Sequence, residues 1–250
     1  MMRVVAIWTI KGGVGKTAAA VNLAALAANE GLRTLLWDLD PQGAASFYFR
    51  VKAKVKGGGR KLLRRSLNLR RWIRATDFDN LDLLPADFSY RRLDLDLDRR
   101  SDPTRRIALK IKPLADEYDV VFLDCPPSVS LASESVLRAS GAVLVPVIPT
   151  VLSLRGLEQV ETFAAKMGRR GLAVLPFLSL VDRRKAMHRE ILERCHADSH
   201  FLKAAIPAAS VVEKMGLHRA PVVTYAGTSE AAQAFAALWD ELARRMALRV

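Results

Sequence analysis

Apolar residues fall in short runs separated by stretches with helical spacing, and this alternation sets the expected elements. Runs of strand length lie at 3–9, 33–38, 81–85, 119–124, 142–148, 172–180 and 203–206. Helices are expected at 17–29, 104–117, 129–140, 153–168, 186–196, 208–217 and 229–247. The last carries Ala231, Phe235, Leu238, Leu242 and Met246 on one core-facing side. Strands alternating with helices predict an α/β fold, a mostly parallel sheet with helices on both faces. Half of the 250 residues are apolar, enough for one sizeable core, so a single domain over 1–250 is expected.

Charge changes this picture in one place. The formal net charge is +13, and eleven of the Lys and Arg residues lie between Arg50 and Arg74 with no acid among them. The rest of the chain is therefore left near neutrality. This basic segment at 50–75 reads either as a solvated loop or as a contact for a polyanion, nucleic acid or an acidic partner. Gly57-Gly58-Gly59 marks a flexible loop, and Lys61 to Arg74, with Leu62, Leu63, Leu67, Trp72 and Ile73, reads as a helix with one apolar side. Leu93-Asp94-Leu95-Asp96-Leu97-Asp98 alternates apolar and acidic residues but lacks the glycine and terminal glutamate of a calcium loop, and reads as a solvated element edge.

No run of 18 apolar residues exists, and the chain enters a strand at once, so neither a membrane span nor a signal peptide is expected, and the cytoplasm is. The terminal stretch from Arg244 to Val250 is too short and too weakly apolar for a membrane-lying helix. Cys125 and Cys195 have no paired spacing, against a zinc site and in keeping with a reducing compartment. Cys125 reads as a small buried residue rather than a nucleophile.

The chemistry is concentrated at Lys11-Gly12-Gly13-Val14-Gly15-Lys16-Thr17. An apolar strand before it and an alanine-rich helix beginning at Ala18 after it are the context of a phosphate-binding loop. In such a loop backbone N–H groups at a helix N-terminus hold phosphates, the lysine reaches the β and γ oxygens, and the hydroxyl holds Mg²⁺. The loop departs from the usual pattern in having Ile10 at the leading glycine position and an additional lysine, Lys11.

These residues resemble the deviant Walker-motif ATPases of the ParA/MinD type. The resemblance continues through Asp38-Leu39-Asp40-Pro41-Gln42-Gly43 as a first switch and Asp124-Cys125-Pro126-Pro127-Ser128 as a second. It runs on through Ala205-Ile206-Pro207 and the segment from Pro221 to the last helix, and 50–75 is the least similar part. It implies ATP and Mg²⁺ as ligands. Lys16 would neutralise the phosphates of its own nucleotide, and Thr17 would bind Mg²⁺. Asp40 would orient the attacking water near the metal, and Asp124 would hold a metal-bound water. Lys11 would cross the interface of an ATP-bound homodimer to touch the partner's phosphates. Ala18 and Pro207 complete the expected nucleotide contacts. Asp38 is either functional or a cap. No histidine or glutamate in these motifs is placed as a strong general base, so slow turnover, below ~1 per minute, and a stimulating adaptor are expected.

The ParA-like branch further implies non-specific binding to nucleoid DNA and positioning of a cargo: a plasmid, a chromosome, or a protein assembly such as a carboxysome. Arg183, Arg184 and Lys185 match one basic contact of those relatives, Arg184 best. At the second, this chain has Val211, with Lys214 and Arg219 nearby. With no segment before the first strand, an added DNA-reading domain is not expected. Three alternatives stand beside this reading. One is a MinD-like membrane-cycling ATPase, which would need a terminal amphipathic helix. Another is a biosynthetic ATPase of the same superfamily. The third is an iron–sulfur reductase, whose cysteine spacing does not match.

Overall fold

All seven expected apolar runs become strands of one sheet, and an eighth joins them. The computed structural model describes residues 1–167 and 171–248. In chain order the first half comprises β1 (Arg3–Ile7), α1 (Lys16–Asn29), β2 (Thr34–Asp38), α2 (Ala44–Tyr48), α3 (Gly58–Leu62), β3 (Arg74–Ala75), β4 (Leu81–Leu84), α4 (Leu93–Asp98), α5 (Arg106–Ile111) and β5 (Val120–Asp124). There follow α6 (Leu131–Ala139), β6 (Ala142–Val147), α7 (Val151–Lys166), β7 (Ala173–Val181), α8 (Ala186–Ala197), β8 (Ala205–Pro207), α9 (Ser210–Glu213), α10 (Met215–His218), α11 (Val222–Tyr225) and α12 (Glu230–Met246). The strand order is β3-β4-β2-β5-β1-β6-β7-β8. Every pairing is parallel except β3 with β4.

Period-two alternation divides the core into two layers. Val4, Ala6, Leu35, Trp37, Val121 and Leu123 face α3 to α8. Val5, Ile7, Leu36, Phe122 and Leu144 face α1 and α12. Helix α1 is apolar nearly all round, as a helix buried between sheet and helix must be. Its run of alanines lets α12 approach, and the fully buried Asn22 donates to the Ala18 carbonyl at 2.8 Å and accepts from Val223 N–H at 3.2 Å. On α12, Phe235, Leu238, Trp239 and Leu242 are buried, each worth about 1.5–3 kcal/mol for a side chain of that size.

Five expectations differ. Residues 61–74 are not one helix: α3 ends at Leu62, a 3-10 turn follows at Leu69–Arg71, and the chain then pairs as β3. Their apolar side chains enter the core from separate turns. Lysine and arginine side chains bind the carbonyls of Arg60, Arg64 and Leu67, and that of Arg64 also accepts the Leu67 amide in a turn at 3.2 Å. The glycines before it are not a loose loop either, since Gly58 and Gly59 open α3. Residues 93–98 form α4, because Leu93 and Leu97, one turn apart, are both buried, while Asp94 accepts the Ala132 N–H at 2.7 Å. The helix expected at 208–217 is two short helices, and that at 104–117 shortens to α5 between 3-10 turns that hold Pro103 and Pro113. The expected helix end at residue 168 and residues 249–250 of the terminal stretch lie outside the described residues.

Candidate active site

Parallel strands deliver the site to one edge of the sheet. Register places Ile7, the last residue of β1, opposite Asp124, and Asp38 opposite the same Asp124 from the other side. The loop from Ile10 to Gly15 leaves β1 there and turns into α1, the position outside strand carboxyl ends where ligands of such sheets sit. Gly15 closes the turn at φ +89°, and a Cβ on it would stand 2.8 Å from the Ser179 hydroxyl, so only glycine fits. Gly12 and Gly13 are exposed, Val14 is buried as the anchor of the loop, and Thr17 and Ala18 lie in the first turn of α1, which itself carries no acidic residue.

The two lysines of the loop go to different places. Lys16 is buried and its Nζ donates to the Lys11 carbonyl at 3.0 Å, so it lies across the loop it belongs to. Burial lowers its pKa, and the charges of Asp124 and Asp40 hold it up. Lys11 is exposed, and its Nζ donates to the Ser153 hydroxyl of α7 at 3.2 Å. Ser153 is in turn held by Thr150 Oγ at 3.1 Å. Sequence reasoning missed Ser153. The signal available was a Thr-x-x-Ser start to α7, where Thr150 caps the Ser153 N–H.

Acidic groups make the complementary half. Asp124 is 1% exposed, and neither of its carboxylate oxygens has a hydrogen-bond partner. Burial, then the charge of Asp38, pushes its pKa well above the carboxylate range. The Thr17 hydroxyl and the Lys16 ammonium pull the other way. Asp38, fully buried, accepts from Ser46 N–H at 2.8 Å and Ser46 Oγ at 2.7 Å, and more loosely from Asp40 N–H. Its pKa is pushed up to about 6 by burial against these bonds. Asp38 therefore ties α2 to the first switch. Asp40 is half-buried, and its Oδ1 accepts the Gln42 N–H at 2.9 Å. Burial raises the Cys125 thiol well above its ordinary value, and its Sγ–H points at the Leu123 carbonyl, as suits a packing residue.

An orphaned buried carboxylate beside a helix-start threonine fits Mg²⁺, which binds through one or two protein oxygens and otherwise through phosphates and water. Among the described residues no cluster of three or more acidic, histidine or cysteine side chains forms a protein-only metal cage. Thr17, Asp40 and Asp124 are the groups that would serve a metal arriving with its nucleotide.

The remaining candidates sit elsewhere. Pro207 ends β8 opposite Val181, so it neighbours the turn bearing Arg183, Arg184 and Lys185. Arg184 is clamped on Asp182 at 2.9 and 3.0 Å, and the pair pulls the Asp182 carboxyl down to about 2. Arg183 and Lys185 are exposed with no ion pair among the described residues. Lys214 separates α9 from α10. Arg219, at φ +48°, donates to the Phe47 carbonyl of α2 at 3.2 Å and lies over the Phe47 ring. No helix of the described residues is long and apolar enough to cross a membrane.

The chain is similar to known proteins in sequence and fold. A family model described as an AAA domain matches residues 2–172. The chromosome partitioning protein ParA of Caulobacter vibrioides is 30% identical over 260 residues, 98% of this chain and 95% of that protein. Cobyrinic acid a,c-diamide synthase from Mycobacterium smegmatis, solved with an ATP analog and magnesium, has TM-score 0.80 and 26% identity over 98% of this chain and 95% of its own. The cell division ATPase MinD of Pyrococcus furiosus has TM-score 0.78 and 26% identity over 98% and 99%. Since the family match and the near full-length ParA match both run through the two-lysine loop and its switches, the chain belongs to the ParA/MinD-type P-loop ATPases, enzymes that hydrolyse ATP with Mg²⁺.

Proposed function

We propose that this ATPase works as an ATP-gated homodimer that rides non-specifically on nucleoid DNA, positions or segregates a cargo, and is reset when an adaptor stimulates hydrolysis. The observation that carries the reading is the divergence of the two loop lysines. Lys16 lies over its own loop, while Lys11 projects from the surface to Ser153, where it is available to a second copy. Val151 and Leu152, both 70% exposed, lie beside Ser153, and Val129, 58% exposed, lines a cavity with Ile10. These apolar side chains around the loop suit a face that two subunits bring together.

Within the dimer, Lys16 neutralises the β and γ oxygens of its own nucleotide, and Lys11 does so across the interface. Both act on charge that develops in the transition state. Asp40 orients the attacking water from the first switch, and Thr17 and Asp124 hold the metal shell. Mg²⁺, when bound, neutralises phosphoryl charge. The site offers positioning and electrostatics but no strong base, which favours slow turnover and a nucleotide state long enough to serve as a timer. Arg183 and Lys185 after β7, and Lys214 and Arg219 after β8, are the candidate DNA contacts, with Arg184 less free because of Asp182.

The test is binding of Asp40→Ala protein to a random-sequence DNA duplex with ATP or ADP across a salt series. Binding that needs ATP and weakens with salt, at a log–log slope near −5 if about 6 phosphates are met per dimer, supports the reading. No binding in either state moves the protein to a membrane or biosynthetic role.

A further inference from the structure

Beneath the basic segment, cations are buried with no carboxylate bonded to them. Arg106 and Lys110 of α5 are 3% and 5% exposed. Arg106 Nη2 donates to the Ser101 carbonyl at 2.6 Å and reaches the Ser101 hydroxyl at 3.5 Å, while its Nε is buried without a partner. Arg100 donates to the Arg60 carbonyl at 2.9 Å, and its Nε is likewise buried and unpartnered. Lys110 Nζ donates to the Arg64 carbonyl at 2.9 Å and to that of Leu67. Asp102 is the acid that Arg106 feels, against Arg100 and Arg65.

Carbonyl oxygens satisfy hydrogen bonds but bring no net negative charge, so the positive potential of this layer reaches the surface. There Arg60, Arg64, Arg65 and Arg105 are exposed and form no ion pair among the described residues. The same bonds tie residues 60–67 to the end of α4 and to α5, so these arginines project from a fixed backbone that need not be ordered on binding.

We propose that this platform, on the β3–β4 side of the molecule, is a second DNA contact that grips the phosphate backbone. It is separate from the turn at 183–185 and from Lys214 and Arg219. The inference rests on the DNA-binding reading above. A phosphate backbone fits better than an acidic protein because the four exposed side chains are guanidinium groups with no aromatic ring among them. Protein interfaces centre on buried aromatic or apolar anchors, whereas backbone phosphates ask for well-placed cations. The nearest exposed aromatics along the chain, Phe47 and Phe88, already lie under the Arg219 and Arg91 guanidinium groups at 4.7 and 3.9 Å.

The experiment compares full-length Asp40→Ala protein with the same protein carrying Arg60→Ala, Arg64→Ala, Arg65→Ala and Arg105→Ala. Binding to random-sequence duplex with ATP is measured over a salt series, with ATP-dependent dimerisation as the control for folding. The expected result is unchanged dimerisation, at least tenfold weaker binding, and a salt slope shallower by about 0.9 for each phosphate no longer neutralised. Should the fourfold variant not fold, the single changes Arg64→Ala and Arg105→Ala are read the same way, each expected to shallow the slope by about 0.9 per subunit. Equal affinity and slope for parent and variant overturn the inference alone. Intact DNA binding with abolished adaptor stimulation also overturns it and assigns the platform to an acidic protein. A parent that binds no DNA with ATP overturns the functional reading and this inference together.

Discussion

The phosphate-loop edge and the platform over α5 both bury charge without an opposite charge bonded to it, and they do so with opposite sign. At the loop, Asp124 holds two orphaned oxygens next to Asp38, and Lys16 is bonded to a carbonyl rather than to either acid. At the platform, Arg100, Arg106 and Lys110 bind carbonyls and leave two guanidinium nitrogens idle. Buried ionic groups left unmatched are costly, and they persist where a ligand completes them. The first deficit asks for a cation and a nucleotide; the second asks for an anion.

Substitutions separate the two regions. The largest effect is expected for Lys16→Ala, which should weaken ATP binding at least 100-fold, about 3 kcal/mol, in a nucleotide titration. Lys11→Ala should abolish ATP-dependent dimerisation while the monomer still binds nucleotide within about threefold; equal loss of both would merge the roles of the two lysines. Asp124→Asn should lose Mg²⁺-dependent nucleotide binding yet raise the melting temperature of the nucleotide-free protein, by roughly 2–4 °C for each 1 kcal/mol gained. A fall in melting temperature would mean that its carboxylate is already satisfied.

Ser153→Ala should strengthen the ATP-bound dimer by up to about tenfold, because it removes the one hydrogen bond that Lys11 gives up on crossing to the partner's phosphates. The smallest effect is at the platform and depends on pH. Burial, then Arg106, brings Lys110 from 10.5 down to about 8. Between those values the unfolded chain binds more protons than the folded one, so this group's contribution to stability rises with pH from about 8 to 10.5 and is a constant penalty below. Lys110→Met should remove that rise from the pH dependence of urea midpoints.

Much of this was legible in the sequence because the relevant signals are local. Seven apolar runs became seven strands, and Gly15-Lys16-Thr17 between a strand and a helix placed the loop. Illegible were features that depend on distant parts meeting. The helix expected at 61–74 gives way to separate turns whose Arg64 and Leu67 carbonyls are bound by Lys110, more than 40 residues away, which no periodicity records. Ser153 reaches Lys11 across 142 positions. Asp38 is ambiguous between switch and cap in the sequence, and the two hydrogen bonds it accepts from Ser46, eight positions on, were not legible there. Arg184 is clamped on its neighbour Asp182, a bond that charge counting alone does not weigh.

The central claim is that ATP closes two copies of this chain around Lys11. The most direct measurement is the molar mass of Asp40→Ala protein by sedimentation with ATP, with ADP, and with ATP after adding Lys11→Ala. The account predicts a dimer with ATP alone and monomers in the other two samples. An Asp40→Ala protein that stays monomeric with ATP, or a dimer that survives Lys11→Ala, would contradict it.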